Sequence, residues 1–111
     1  MSDMSELLDK VASYLPAEKV VFVQRALDYA TQAHKGQSRR SGGPYIDHPV
    51  SAATYLADLS LDAPTIAAAL LHDVVEDCGV SVEQLRTEFG DEVAFLVDGV
   101  TKLAKLDPLA S

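Results

Sequence analysis

A chain of 111 residues with nine Lys and Arg against 17 Asp and Glu, a net charge of −8, is one domain at most and has the wrong balance for a generic nucleic-acid binder. Apolar residues make up 48% of it and charged ones 23%, which supports a buried core and excludes a disordered polymer. The single cysteine, Cys78, excludes an internal disulfide; the acidic N-terminus lacks a signal-peptide core, and no apolar run approaches membrane-spanning length, so a soluble cytoplasmic protein with no membrane partner is expected.

No segment alternates with a period of two for long enough to make a convincing strand, and helical spacing dominates, so the expected fold is all-α with about six helices. The first helix is expected over Ser5 to Tyr14, with Leu7, Leu8, Val11 and Leu15 on one side, before Pro16 breaks the chain. The second runs from Ala17 to about Lys35 with Val20, Val21, Val23, Ala26, Leu27 and Ala30 inward, and Gly36 ends it. Residues 36–47 read as a loop, rich in glycine and polar side chains and longer than the usual connection between bundle helices. Pro49 fits the first turn of a third helix to about Leu59. Asp62 caps a fourth from Ala63 to about Asp77, with Pro64 in its first turn and Gly79 as the stop. Ser81 and Gln84 form a capping box for a fifth, Val82 to Phe89, which Gly90 terminates. Asp91 caps the sixth, with Val93, Leu96, Val97 and Val100 inward, and that helix frays near Pro108.

The fourth helix carries the most informative pattern. Ile66 to Leu71 is apolar without a break, so the helix is expected to be buried nearly all round, yet His72, Asp73, Glu76 and Asp77 follow at once. Charge at the end of a buried helix is costly unless paired or bound to a metal, and carboxylates are disfavoured at a helix C-terminus. His48, where the long loop meets the third helix, adds a second imidazole. Two imidazoles and a carboxylate suit Mn, Fe, Zn or a related ion without choosing among them, and three ligands with open positions describe a catalytic site. Glu76 and Asp77 are then candidates for accepting a proton from an attacking water. The bland alternative is a solvated acidic helix end.

Charge is also uneven along the chain. His34, Lys35, Arg39 and Arg40 lie within seven residues, whereas Asp73 to Asp98 holds eight acids and one base, Arg86. A basic spot beside an acidic metal site suits a small phosphorylated ligand. Arg39 and Arg40 can grip phosphate in a bidentate way or stack on a base, Ser41 adds a hydroxyl, and Gly42 and Gly43 allow close backbone approach. Tyr45 either stacks on a ligand or anchors the loop. His34 reads as structural or surface, and Cys78 as a plain helix-end or core thiol.

The stretches Ala33-His34-Lys35-Gly36-Gln37-Ser38-Arg39-Arg40-Ser41-Gly42-Gly43-Pro44-Tyr45-Ile46-Asp47-His48-Pro49, Ala69-Leu70-Leu71-His72-Asp73-Val74-Val75-Glu76-Asp77, Phe89-Gly90 and Val97-Asp98-Gly99-Val100-Thr101-Lys102-Leu103 closely resemble the N-terminal hydrolase domain of RelA/SpoT homologues, the stringent-response enzymes that make and degrade (p)ppGpp. The resemblance covers roughly Ala17 to Leu106. It implies an HD-superfamily helical bundle over residues 1–111, with 36–47 as the nucleotide-binding loop. It implies Mn²⁺ as cofactor and hydrolysis of the 3′-pyrophosphate of (p)ppGpp to GDP or GTP and pyrophosphate. His48, His72 and Asp73 would be the metal ligands, and Glu76 and Asp77 would activate or orient the water. Arg39 would contact the guanine, with Arg40, Ser41 and Tyr45 beside the nucleotide.

One departure from the family pattern bears on activity. The family completes its metal site with an Asp on a later helix, in a stretch resembling Leu-Ala-Asp-Arg, and neither Asp98 nor Asp107 occupies that position. The resemblance therefore points to a domain incomplete at the C-terminus, part of a longer hydrolase or synthetase-hydrolase, with reduced Mn²⁺ affinity and turnover. It also points to exposed apolar surface that favours a homodimer or domain swap. Two other readings remain open: an HD-type phosphohydrolase of another nucleotide, and a helical regulatory or interaction module without chemistry.

Overall fold

The computed structural model describes residues 3–34 and 47–106, with side chains for 5–34, 50–75 and 78–99. Six helices follow in order: α1 Asp3–Ala12, α2 Ala17–His34, α3 Asp47–Asp58, α4 Ala63–Asp77, α5 Val82–Phe89 and α6 Asp91–Leu106. Among the described residues there is no strand, and the fold is an all-α helical bundle. Helix α4 is its axis. It packs against α2, α3 and α6, while α5 lies on α6 and α1 lies against α3 and α2.

Local chemistry explains the boundaries of α4 and α5. Asp62, in extended conformation, accepts a hydrogen bond from the Thr65 backbone N–H, and Pro64 occupies the first turn, where a missing N–H costs nothing. At the other end the N–H groups of Cys78 and Val80 both donate to the Val74 carbonyl, and Gly79 adopts φ +74°, a conformation that disfavours a Cβ. The expected capping box is present. The Gln84 N–H donates to Ser81 Oγ at 3.1 Å, and the Ser81 N–H donates to Gln84 Oε1 at 3.0 Å.

Four expectations need correction. Helix α1 begins and ends two residues earlier than the apolar spacing suggested; Ser13 to Leu15 instead turn back on Lys10 and Val11. Asp47 is the first residue of α3 rather than the last of a loop, and Asp91 is likewise the first residue of α6 rather than its cap. Val21 is 59% exposed, because the buried stripe of α2 follows Val23, Ala26, Leu27 and Ala30 and passes it by. The rest of the expected loop from Gly36 on, Lys35, where the second helix was expected to end, and Pro108 lie outside the described residues.

The core centres on α4. Ile66, Ala67, Leu70, Leu71 and Val74 are fully buried, as are Leu7 and Val11 from α1 and Val93 and Val97 from α6. Ala26 and Ala30 of α2, Ala53 of α3 and Ala67 of α4 are fully buried, and side chains this small let α2 and α3 approach α4 closely. Phe89 anchors α5: its ring meets Phe22 and Tyr29 edge-on at 5.9 and 5.5 Å, and the Arg25 guanidinium lies 5.2 Å above it while donating to the Glu88 carbonyl.

Tyr14 ties the start of the chain to the α3–α4 turn through an O–H bond of 2.7 Å to the Leu61 carbonyl. Burial and then the nearby Asp62 carboxylate push its pKa up. A raised acid pKa in the folded state means that this contribution is complete below about pH 10, the unfolded value, and is lost as pH rises through the higher folded value. Tyr14→Phe should therefore cost about 1 kcal/mol at neutral pH by urea denaturation. The difference from wild type should shrink above pH 10; a gap that holds constant into strong alkali would contradict the assignment.

Candidate metal centre

The polar end of α4 is built by the helix itself. His72 Nδ1 lies 2.9 Å from the Ala69 carbonyl, one turn earlier, and a carbonyl only accepts, so Nδ1–H is the donor. In the neutral ring Nε2 then carries a lone pair. That atom lies 3.0 Å from Asp73 Oδ1, with the two side chains only 22% and 14% exposed. Adjacent helical residues ordinarily diverge around the axis, so both side chains are turned toward a common point. Two acceptors at that separation repel unless a proton or a cation lies with them.

The donor set fits a divalent cation. Bonds of about 2.0–2.2 Å to nitrogen and oxygen, at the right angle of octahedral coordination, place two donor atoms about 3 Å apart. A ring oriented by a backbone carbonyl through its other nitrogen is the usual arrangement of a metal-binding imidazole. Carboxylates at the negative end of the α4 dipole are also unfavourable without a counter-charge. Among the described side chains no group of three or more His, Cys, Asp and Glu converges, and those of His48, Glu76 and Asp77 lie outside them.

The other candidate residues have these positions. His48 belongs to the first turn of α3, which packs against α4. Glu76 and Asp77 form the last turn of α4. Arg39, Arg40, Ser41 and Tyr45 fall outside the described residues. Beside His72 an open, largely apolar cavity of about 200 Å³ lies between α3, α4 and α6, lined by Leu56, Thr65, Ala68, Ala69 and Leu96. Nothing in the sequence announced it, because its walls come from three helices.

Sequence reasoning also missed a contact at the edge of this region. His34, the last residue of α2, is only 4% exposed, and its Nδ1 lies 3.4 Å from Cys78 Sγ at the end of α4. The two residues are 44 positions apart, and no local pattern connects them.

Comparison with known proteins agrees with this architecture. Residues 26–111 match the family model of the HD domain. The chain is 54% identical over 93 residues to a probable GTP pyrophosphokinase of Mycobacterium leprae, covering 84% of this chain and 12% of that protein. It is 50% identical over 100 residues to a guanosine-3′,5′-bis(diphosphate) 3′-pyrophosphohydrolase of Vibrio cholerae, covering 90% and 14%. It is 47% identical over 96 residues to the bifunctional (p)ppGpp synthase/hydrolase SpoT of Escherichia coli, covering 86% and 14%. The chain belongs to the HD domain family, and within it matches enzymes of the RelA/SpoT type along most of its own length. It spans about one-seventh or less of the length of those relatives.

Proposed function

We propose that this chain is the hydrolase part of a (p)ppGpp enzyme, which removes the 3′-pyrophosphate of (p)ppGpp with Mn²⁺ as cofactor. The observation that carries the reading is the convergence of His72 Nε2 and Asp73 Oδ1 to 3.0 Å at the end of a buried helix. The names of the Vibrio cholerae and Escherichia coli relatives supply the substrate.

His48, His72 and Asp73 would hold the cation. When bound, it would supply acidity to the attacking water and offset charge on the phosphoryl oxygens. Asp73 keeps its carboxylate against Nε2, and the Ala69 carbonyl keeps the ring turned to receive the metal. Glu76 and Asp77 would take the proton from water as its oxygen bonds to phosphorus, and the bond from that phosphorus to the 3′ oxygen breaks. The leaving 3′ oxygen takes up a proton, so GDP or GTP and pyrophosphate result. Arg39 would meet the guanine, while Arg40 and Ser41 would steady the phosphates and Tyr45 the nucleotide face. These roles rest on the resemblance and on residue chemistry.

The test is a panel of nucleotides at fixed Mn²⁺: ppGpp, pppGpp, GTP, ATP and dGTP, read as binding by calorimetry and as pyrophosphate release. Binding and release confined to ppGpp and pppGpp are the expected result. Equal action on dGTP would move the protein to the general HD phosphohydrolases. Absence of both Mn²⁺ binding and nucleotide binding would leave a helical interaction module.

A further inference from the structure

Helix α2 ends at His34, immediately before the segment that carries Arg39, Arg40, Ser41 and Tyr45. Helix α4 ends at Asp77, and Cys78 closes it by donating its N–H to the Val74 carbonyl. The His34 ring is buried, and its Nδ1 meets Cys78 Sγ at 3.4 Å. Depending on the tautomer, the thiol donates to Nδ1 or Nδ1–H donates to sulfur, and either way one bond joins the two helix ends. Cys78 is itself half-buried against the core, so neither partner is free to swing in water.

This contact reaches further than packing requires. Helices α2 and α4 already pack together, with Leu27 and Ala30 of the one and Ile66 and Leu70 of the other buried in the common core. An imidazole buried at the last turn adds little apolar contact and carries a desolvation cost that a leucine would not. What it adds is direction: a hydrogen bond fixes where one chain leaves its helix relative to the last turn of the other.

We propose that His34, acting through Cys78, is a positioning residue for the nucleotide. It sets the departure point of the basic segment relative to Glu76 and Asp77. The inference rests on the function proposed above and assigns neither residue to the chemistry itself. Because His72 is oriented by Ala69 within α4, loss of the contact should leave the metal ligands in place and displace the nucleotide contacts. Binding should therefore suffer more than the chemical step.

The experiment compares wild type with His34→Leu, His34→Asn, His34→Gln, Cys78→Ala, Cys78→Ser and the double variant His34→Leu/Cys78→Ala. The readouts are the Kd for ppGpp at fixed Mn²⁺, the rate at saturating ppGpp, and amide exchange at Cys78 and Val80. His34→Leu should weaken ppGpp binding about tenfold or more, with the saturated rate within about threefold of wild type, because contacts made equally in the ground state and the transition state affect binding and leave the chemical step alone. His34→Asn, whose amide reaches the place of Nδ1, should restore binding; His34→Gln, which reaches the place of Nε2, should not. Cys78→Ala should match His34→Leu, Cys78→Ser should retain affinity, and the double variant should be no worse than either single one. Exchange at Cys78 and Val80 should quicken in His34→Leu and remain at the wild-type rate in His34→Asn.

Equal losses for Asn and Leu, additive losses in the double variant, or an unchanged Kd in a folded His34→Leu protein would overturn the role while leaving the proposed function intact. A wild-type protein that neither binds nor cleaves ppGpp would overturn both. If His34→Leu fails to fold, the half-buried Cys78→Ala reads the same contact.

Discussion

Asp73→Asn should weaken Mn²⁺ binding by about 100-fold or more and remove Mn²⁺-dependent pyrophosphate release, with the fold intact. Loss of a partner that merely orients a ligand already costs about 10–100-fold in metal affinity, and a direct ligand should cost no less. Asparagine keeps the shape of Asp73, which is only 14% exposed, and its amide can donate to Nε2 across the same 3.0 Å. Metal-free stability should therefore stay within about 0.5 kcal/mol of wild type, whereas an ion pair serving stability would lose more. Mn²⁺ at about a hundred times its Kd should stabilise wild type by about 2.7 kcal/mol, and the variant should show none of that gain. Thermal melting with and without Mn²⁺, together with a calorimetric titration, separates the two roles. A variant that loses stability yet still binds Mn²⁺ like wild type would return His72 and Asp73 to a plain helix-end ion pair.

Leu70→Ala should have the largest effect on stability, a loss of about 3–4 kcal/mol. Leu70 and Leu71 are both fully buried, although consecutive helical positions point in different directions. That is possible only because α4 is surrounded by α2, α3 and α6. Neither side can relax toward solvent to close the cavity. The melting midpoint should fall by roughly 10–20 °C for a domain of this size. Phe95→Ala is the matched control: at 75% exposure it should change stability by less than about 0.5 kcal/mol. Similar losses for both substitutions would mean that a second copy of the chain covers Phe95 on α6 in solution, the expectation for self-association through apolar surface.

Legibility of the fold followed the range of the interactions that decide it. Asp62, Pro64, Ser81 and Gln84 act on backbone groups within three or four residues, so α4 and α5 could be bounded from the sequence alone. The unbroken apolar run before His72 likewise foretold a helix buried nearly all round, as Ile66, Ala67, Ala68, Leu70 and Leu71 are, with Ala69 partly buried. The boundary of α1 was less clear, because the spacing of Leu7, Leu8 and Val11 extends to Leu15, while backbone bonds of Ser13 and Tyr14 turn the chain back at Lys10 and Val11. Val21 shows the same limit: an apolar residue beside a stripe is not part of it until the neighbouring helix is placed.

The sequence by itself determined the helical class, the polar end of α4 and the resemblance to (p)ppGpp hydrolases, because each depends on residue order within one segment. Only the folded structure showed which rotamer His72 takes, with Nδ1 on the Ala69 carbonyl and Nε2 on Asp73; both partners lie within α4, but a rotamer also answers to its packed surroundings. It alone joined His34 to Cys78, across 44 residues, because packing α2 against α4 brings together side chains that no local periodicity relates.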